Sequence, residues 1–119
     1  MAPVYLQAFD EMVAQPGNTL LVAVRGDEVV GCLQLTITPG LSRMGMRRAQ
    51  LEGVRVSATH RGTRIGEPLV TEAIALARAA GCGLVQLTSD VTRVDAIRFY
   101  ERLGFQATHV DMKLSLPDT

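Results

Sequence analysis

The stretch His60-Arg61-Gly62-Thr63-Arg64-Ile65-Gly66 separates a run of strand-like apolar residues from a run with helical periodicity. A helix begins with backbone N–H groups that have no partner, and its macrodipole adds partial positive charge there. Gly62 and Gly66 have no Cβ, which leaves these donors open to an anion, and Arg61 and Arg64 add charged donors. The stretch therefore predicts either a phosphate-binding turn or an ordinary turn with solvated arginines.

The residues before this turn predict a helix followed by an antiparallel meander. Apolar residues recur at helical spacing from Tyr5 to Val13, and Pro16-Gly17-Asn18 ends that helix. Residues 20–25 and 29–38 have the pattern of two strands joined by a tight turn at Gly26-Asp27. Residues 50–57 form the next strand in this interpretation.

The residues after the turn alternate between helix and strand. An amphipathic helix ends at Gly81, and residues 84–89 form a short buried strand. A second helix follows, for which Asp90 and Thr92 offer N-cap oxygens and Gly104 supplies the left-handed residue at the C-terminus.

The last part of the chain predicts two further strands, residues 105–108 and 110–116. In the second, apolar residues at 110, 112, 114 and 116 alternate with polar ones, as on a half-buried strand. The complete order of elements predicts an α/β (α+β) fold, a sheet with helices on both faces.

Composition indicates an ordinary globular domain, and 119 residues predict a single domain over residues 1–119. The 12 basic and 12 acidic residues cancel, which disfavours a nucleic acid or a membrane surface as partner. Cys32 and Cys82 lie in apolar contexts typical of core thiols, and the cysteines and histidines lack metal-ligand spacing, so no metal is expected. No secretory signal is visible, and a cytoplasmic location is expected.

A second stretch, 30 residues after the turn, decides between the two interpretations of the first. Its sequence is Ala96-Ile97-Arg98-Phe99-Tyr100-Glu101-Arg102-Leu103-Gly104-Phe105. Together they resemble the GNAT superfamily of N-acetyltransferases, which carries an (Arg/Gln)-x-x-Gly-x-(Gly/Ala) turn and an Ala-x-x-Phe-Tyr-x-x-x-Gly-Phe helix. The resemblance covers residues 4–116 and implies a mixed, mostly antiparallel twisted sheet that lacks the usual first strand and helix. Arg64 stands where the family's first glycine usually falls.

The resemblance implies acetyl-CoA as co-substrate and a set of residues that bind it. The turn residues Arg61, Gly62, Thr63, Arg64, Ile65 and Gly66 would hold the pyrophosphate. Backbone groups of Val54, Arg55 and Val56 would lie against pantetheine. Arg93 occupies the position where relatives often carry an asparagine that contacts pantetheine.

The resemblance also implies direct attack of an amine on the thioester, with Tyr100 as general acid. An aromatic residue packed on an amphipathic helix is the other interpretation of Tyr100. Glu52 is the candidate base, and strand alternation predicts that it shares a face with Val54. A solvated carboxylate, or one paired with Arg48, is an equally open interpretation of Glu52.

The sequence gives little information about the acceptor, which is either a small-molecule amine or a protein amino group. Arg43, Arg47 and Arg48 make one loop basic, which predicts either a solvated loop or recognition of a carboxylate or phosphate on the acceptor. An alternative function is an acyl-CoA-binding module without turnover. The strand at 20–25 would be an exposed sheet edge, and we therefore expect a homodimer.

Overall fold

The computed structural model describes residues 3–57 and 65–117. Four helical segments and four strands follow one another along the chain. Their bounds are α1 Pro3–Ala14, β1 Asn18–Arg25, β2 Glu28–Thr38, α2 Ser42–Gly45, β3 Arg48–Val56, α3 Gly66–Ala79, β4 Leu84–Leu87 and α4 Val94–Arg102. The chain divides into two compact units, Met1–Leu87 and Thr88–Thr119.

The first unit contains one mixed sheet in the order β1-β2-β3-β4. β1 and β2 pair antiparallel, as do β2 and β3, whereas β4 runs parallel to β3. The first pair is a hairpin closed at Gly26, whose φ of 62° is the left-handed geometry that glycine adopts at no steric cost. The predicted α/β class, with a mostly antiparallel sheet, is confirmed.

The core of this unit lies between α3 and one face of the sheet. Val70, Ala73 and Ala77 of α3 are fully buried, and so are Leu33 and Ala49 of the sheet. These apolar positions recur every three or four residues on α3 and every second residue on β2, which explains why the two elements pack together.

The start of β1 is held by a hydrogen-bond network that reaches from α1 to β2. Asn18 Nδ2 donates to the carbonyl oxygen of Met12 at 2.9 Å, and Thr36 Oγ1 donates to Asn18 Oδ1 at 2.8 Å. Gly17 precedes the network with a φ of 91°, and its carbonyl accepts a hydrogen bond from the Ile37 N–H at 2.8 Å.

The second unit contains α4 and an extended tail. Gly104 has a φ of 102°, and the N–H of Phe105 donates to the carbonyl of Tyr100 at 3.1 Å, which closes the helix as the sequence predicts. The predicted N-cap is wrong: Arg93 holds that position without a side-chain cap, because the Asp90 carboxylate instead accepts from Thr92 in the preceding turn.

The predicted strands at residues 105–108 and 110–116 are also wrong, because the described tail forms no strand. Its four alternating apolar residues, Val110, Met112, Leu114 and Leu116, are 83–88% exposed. Alternation specifies a strand only when another strand pairs with it, and no backbone hydrogen bond joins residues 110–116 to the rest of the described chain.

Candidate active site

The parallel pair β3 and β4 separates part of the way along the sheet. Their last paired residues are Leu51 and Leu87, and β4 ends there, whereas β3 continues to Val56. Beyond Leu51, the side of β3 that faced β4 has no strand partner among the described residues. Backbone N–H and C=O groups need hydrogen-bond partners, so this open side of β3 suits an extended, amide-containing ligand.

A β-bulge at Gly53 sets the direction of the side chains along the open part of β3. Gly53 has a φ of 61°. Glu52 pairs with Gln34 and Arg55 pairs with Cys32, so β3 advances by three residues where β2 advances by two. Glu52 therefore shares its face with Arg55. The prediction that Glu52 and Val54 share a face is wrong, because a bulge interrupts strict alternation.

Glu52 lies at the mouth of this opening, one residue beyond the last β3–β4 pair. Its side chain is exposed and makes no hydrogen bond or ion pair with the described residues. The ion pair with Arg48 that the sequence left open is not formed. A carboxylate without a partner remains available to accept a proton, directly or through water.

The start of α3 provides the next part of the site. Ile65 holds the N-cap position with its side chain 8% exposed, and Gly66 is the first helical residue. The Ile65 side chain therefore belongs to the core. It does not cap the helix, and the first N–H groups of a helix are suited to an anion. The remaining residues of the predicted phosphate turn, Arg61, Gly62, Thr63 and Arg64, lie outside the described residues.

Tyr100 lies on α4, in the second unit, between two aromatic neighbours. The ring centroids of Phe99 and Phe105 are 5.1 and 5.7 Å from that of Tyr100, both in edge-to-face geometry. This packing holds the phenol in one orientation, while its hydroxyl makes no hydrogen bond with the described residues. Burial raises the pKa of Tyr100, and the charge of Arg93 lowers it by a smaller amount.

Arg93 precedes α4 by one residue and lies in the same unit as Tyr100. Its φ of −90° and ψ of 71° are not helical, and its positive charge acts on the Tyr100 hydroxyl. The two residues are close enough for this charge to act, although Arg93 itself lies outside the helix. The charge of Arg93 therefore keeps the pKa of the Tyr100 hydroxyl below the value that burial alone would give.

The three arginines of the basic loop do not act as one cluster. Arg47 Nη1 donates to the carbonyl of Ala80 at 3.0 Å, and the Arg47 carbonyl accepts from the N–H of Gly83 at 3.0 Å. Arg47 therefore ties the loop to the end of α3. Arg43 is exposed in a left-handed turn with a φ of 52°, and Arg48 is half-buried at the start of β3. Only these last two have guanidinium groups without a partner among the described residues.

A pair of glutamines on β3 and β4 was not predicted from the sequence. Gln86 Nε2 donates to Gln50 Oε1 at 2.7 Å, across the parallel register that places the two residues side by side. The available signal was the polar character of every second residue of β3 at 48, 50 and 52, which marks the face opposite the buried Ala49 and Leu51.

Neither a cluster of metal-ligating side chains nor a helix able to span a membrane occurs in the described part of the chain. No group of three or more histidine, cysteine, aspartate or glutamate side chains converges there. None of the helices in residues 3–57 and 65–117 is long and apolar enough to cross a bilayer.

The chain matches known proteins in sequence and in structure. Its residues 2–105 match the family described as Acetyltransferase (GNAT) family. It is 34% identical over 88 residues to glucosamine 6-phosphate N-acetyltransferase of Trypanosoma brucei brucei, a match that covers 74% of this chain and 58% of that enzyme. It is 30% identical over 105 residues to aminoalkylphosphonate N-acetyltransferase of Salmonella typhimurium, covering 88% and 68%.

A crystal structure described as a transcriptional regulator from Bacillus halodurans C-125 has the same fold. It shares 46% identity with this chain and superposes with a TM-score of 0.93, over 98% of this chain and 77% of that one. This chain thus spans less than two thirds of the trypanosomal enzyme and most of the bacterial structure. The match to the family model, which extends over most of the 119 residues, establishes that the chain belongs to the GNAT family of acetyltransferases.

Proposed function

We propose that this chain transfers the acetyl group of acetyl-CoA to a primary amine by direct attack within a ternary complex. The observation that carries the proposal is the open side of β3 beyond Leu51, where peptide groups without a strand partner among the described residues suit the two amides of pantetheine. The amine nitrogen forms the new C–N bond, the C–S bond breaks, and the sulfur leaves as a thiol once it has gained a proton. No acyl-enzyme is required.

Glu52 is the proposed base for the amine. Free alkylamines have a pKa of about 10.4 and are mostly protonated near neutral pH, so attack needs a group that takes up the proton. Glu52 is exposed at the mouth of the opening and has no competing ion pair among the described residues. Its carboxylate receives the amine proton, directly or through a water molecule.

Tyr100 is the proposed acid for the leaving sulfur, as the resemblance to the family implies. Burial keeps its hydroxyl protonated well above neutral pH, and Arg93 moderates that effect. The hydroxyl has no partner among the described residues and is free to donate. Arg93 is proposed to contact pantetheine as well, and the turn from Arg61 to Arg64 to hold the pyrophosphate next to the start of α3.

The proposed acceptor is a small amine that carries a phosphate or phosphonate group. Two relatives are named for such amines, glucosamine 6-phosphate and aminoalkylphosphonate. The guanidinium groups of Arg43 and Arg48 have no partner among the described residues and suit an anion, whereas Arg47 is engaged with Ala80. Planar guanidinium groups bind phosphate oxygens in pairs, which adds geometric selection to the charge.

We also propose that the chain forms a homodimer through the β1 edge. β1 pairs only with β2 among the described strands, and its Leu20, Val22 and Val24 side chains are 40–58% exposed. An apolar cleft of about 290 Å³ lies beside them, between β1 and α3. Edge strands and apolar patches of this kind favour association. Val24→Lys should give a monomer by light scattering, whereas Val91→Lys, at a valine that is 84% exposed before α4, should not.

The test of the transferase proposal is a calorimetric titration with acetyl-CoA, followed by a panel of amines read by release of free thiol. Binding and thiol release with at least one amine support the proposal. Binding without release from any amine instead supports the acyl-CoA-binding module. A Glu52→Gln variant that retains binding and full turnover at all pH values would remove the role of Glu52 as base.

A further inference from the structure

The Gln50–Gln86 pair lies on the face of the sheet opposite α3. The neighbours of Gln50 on β3, Ala49 and Leu51, are 0% and 2% exposed against α3, so Gln50 points to the opposite face. Gln86 is its register partner on β4 and joins it by the 2.7 Å hydrogen bond. Both side chains are half-buried, so each keeps some surface that is exposed in the described structure.

The pair uses only part of its hydrogen-bonding capacity. Each side-chain amide has an NH₂ group that donates and a carbonyl oxygen that accepts. The bond between them leaves the Gln50 NH₂ and the Gln86 carbonyl oxygen without a partner among the described residues. If the donor and acceptor roles of the two amides are exchanged, one NH₂ group and one carbonyl oxygen again remain without a partner among the described residues.

A hydroxyl group is complementary to this remainder, because one oxygen both accepts and donates a hydrogen bond. A methylene group in the same place would displace water from both amide groups without forming a hydrogen bond to either of them. Sites built to bind a hydroxyl reject an analogue without it more strongly than apolar pockets reject an extra methylene, since polar groups are then left unpaired.

The position of the pair on β3 relates it to the rest of the proposed acceptor site. Arg48, Gln50 and Glu52 follow one another on the same face, before the bulge at Gly53. Successive same-face residues of a strand lie roughly 6.6 Å apart, so the Cα atoms of Arg48 and Glu52 are separated by roughly 13 Å. A hydrogen-bonding position thus lies midway between an anion-binding group and a proton acceptor.

From this order we infer that the Gln50–Gln86 pair binds a hydroxyl group of the acceptor. The substrate is then a hydroxylated amine, an amino sugar or amino alcohol, rather than a simple alkylamine. The inference rests on the proposed function and adds the substrate class to it. In this arrangement the amine faces Glu52, the hydroxyl faces the glutamine pair, and an anionic group on the acceptor faces Arg48.

The experiment compares glucosamine 6-phosphate with an aminoalkylphosphonate that has no hydroxyl group. Both are anionic primary amines, and only the first can use the pair. Gln50→Leu and Gln86→Leu should each lower kcat/KM for glucosamine 6-phosphate by ~10-fold or more, as expected for a part-buried site that loses its hydroxyl contacts. Both variants should leave kcat/KM for the aminoalkylphosphonate and the KM for acetyl-CoA within about twofold.

The control is Gln7→Leu, which removes the same amide from the exposed surface of α1, where Gln7 bonds Glu11. It should change the turnover of neither acceptor, and urea unfolding should show that all three variants are fully folded under the assay conditions. The inference is overturned if the pair variants lower turnover of both acceptors equally or of neither, or if the parent prefers the hydroxyl-free amine.

Direct binding separates failure of the inference from failure of the transferase proposal. If the parent releases thiol with neither amine, the transferase proposal fails, and the inference is then decided by calorimetric titration of glucosamine 6-phosphate into the parent–CoA complex. Binding that is lost in Gln50→Leu but kept in Gln7→Leu supports the pair as a hydroxyl-binding site. Absence of binding to the parent, or equal binding to both variants, overturns it.

Discussion

Gly17→Ala should destabilise the protein far more than Gly26→Ala, although both glycines are left-handed. Gly17 has a φ of 91°, and a Cβ there would lie 2.7 Å from the carbonyl oxygen of Ile37. Gly26 has a φ of 62°, and a Cβ there would meet no atom within 4 Å. Comparison of the two variants therefore separates the energetic cost of the left-handed backbone from the cost of the steric contact.

The magnitudes follow from these two geometries. An L-residue in the left-handed region costs roughly 1–2 kcal/mol, which is the whole effect expected at Gly26. At Gly17 the backbone must also move away from Ile37, which breaks the 2.8 Å hydrogen bond from the Ile37 N–H to the Gly17 carbonyl. That bond contributes roughly 1 kcal/mol, so the expected loss at Gly17 is about 2–3 kcal/mol.

Urea unfolding followed by circular dichroism measures the difference. With an m value of about 1.5 kcal/mol/M, the midpoint should fall by about 1.3–2 M for Gly17→Ala and by about 0.7–1.3 M for Gly26→Ala. The slope m should stay unchanged in both. Equal shifts in the two variants would refute the steric argument, because the left-handed backbone is the only cost that they share.

Further predictions concern the proposed acid, one turn and the basic loop. Tyr100→Phe should lower turnover by ~100-fold while acetyl-CoA binding is kept, and the parent should lose no activity to ionisation of this group below about pH 10, because burial raises its pKa. Hydrogen bonds from the backbone and hydroxyl of Thr92 lower the pKa of Asp90 from 3.8, so the stability it contributes is present above that pH and is lost as the pH falls. The urea midpoints of the parent and Asp90→Asn should accordingly converge in acid, and a constant gap between them would contradict this. Arg47→Ala should lower the free energy of unfolding by about 0.5–1 kcal/mol, since it loses its bond to the end of α3, whereas Arg43→Ala should leave it unchanged.

Local chemistry explains the parts of the fold that were predicted from sequence. The Gly26 turn, the end of α3 at Gly81 and the end of α4 at Gly104 each depend on a glycine that adopts a positive φ, 62°, 81° and 102° respectively. Each of these three features depends only on residues that are close in the sequence. The amphipathic pattern of α3 is equally local, and it identified the helix that covers the sheet.

Long-range pairing explains the parts that sequence reasoning missed. The bulge at Gly53 depends on the register with β2, and strict alternation therefore placed Val54 on the wrong face. The Gln50–Gln86 bond requires β3 and β4 to run parallel in one particular register, which no local pattern specifies. The phosphate-binding role of the turn from Arg61 to Arg64 stays a prediction.

The exposed apolar side of residues 110–116 bears on how concentrated samples of the protein behave. Four large side chains on this segment are 83–88% exposed, and its peptide groups bond to no described strand. Any strand edge that meets the segment gains backbone hydrogen bonds and buries those side chains, which is how ordered aggregates begin. Asp111 and Lys113 on the other side form an ion pair with each other, so they offer little net charge to keep two copies apart. Colloidal stability therefore depends on this short segment, and a lysine at Met112 is the simplest way to protect it.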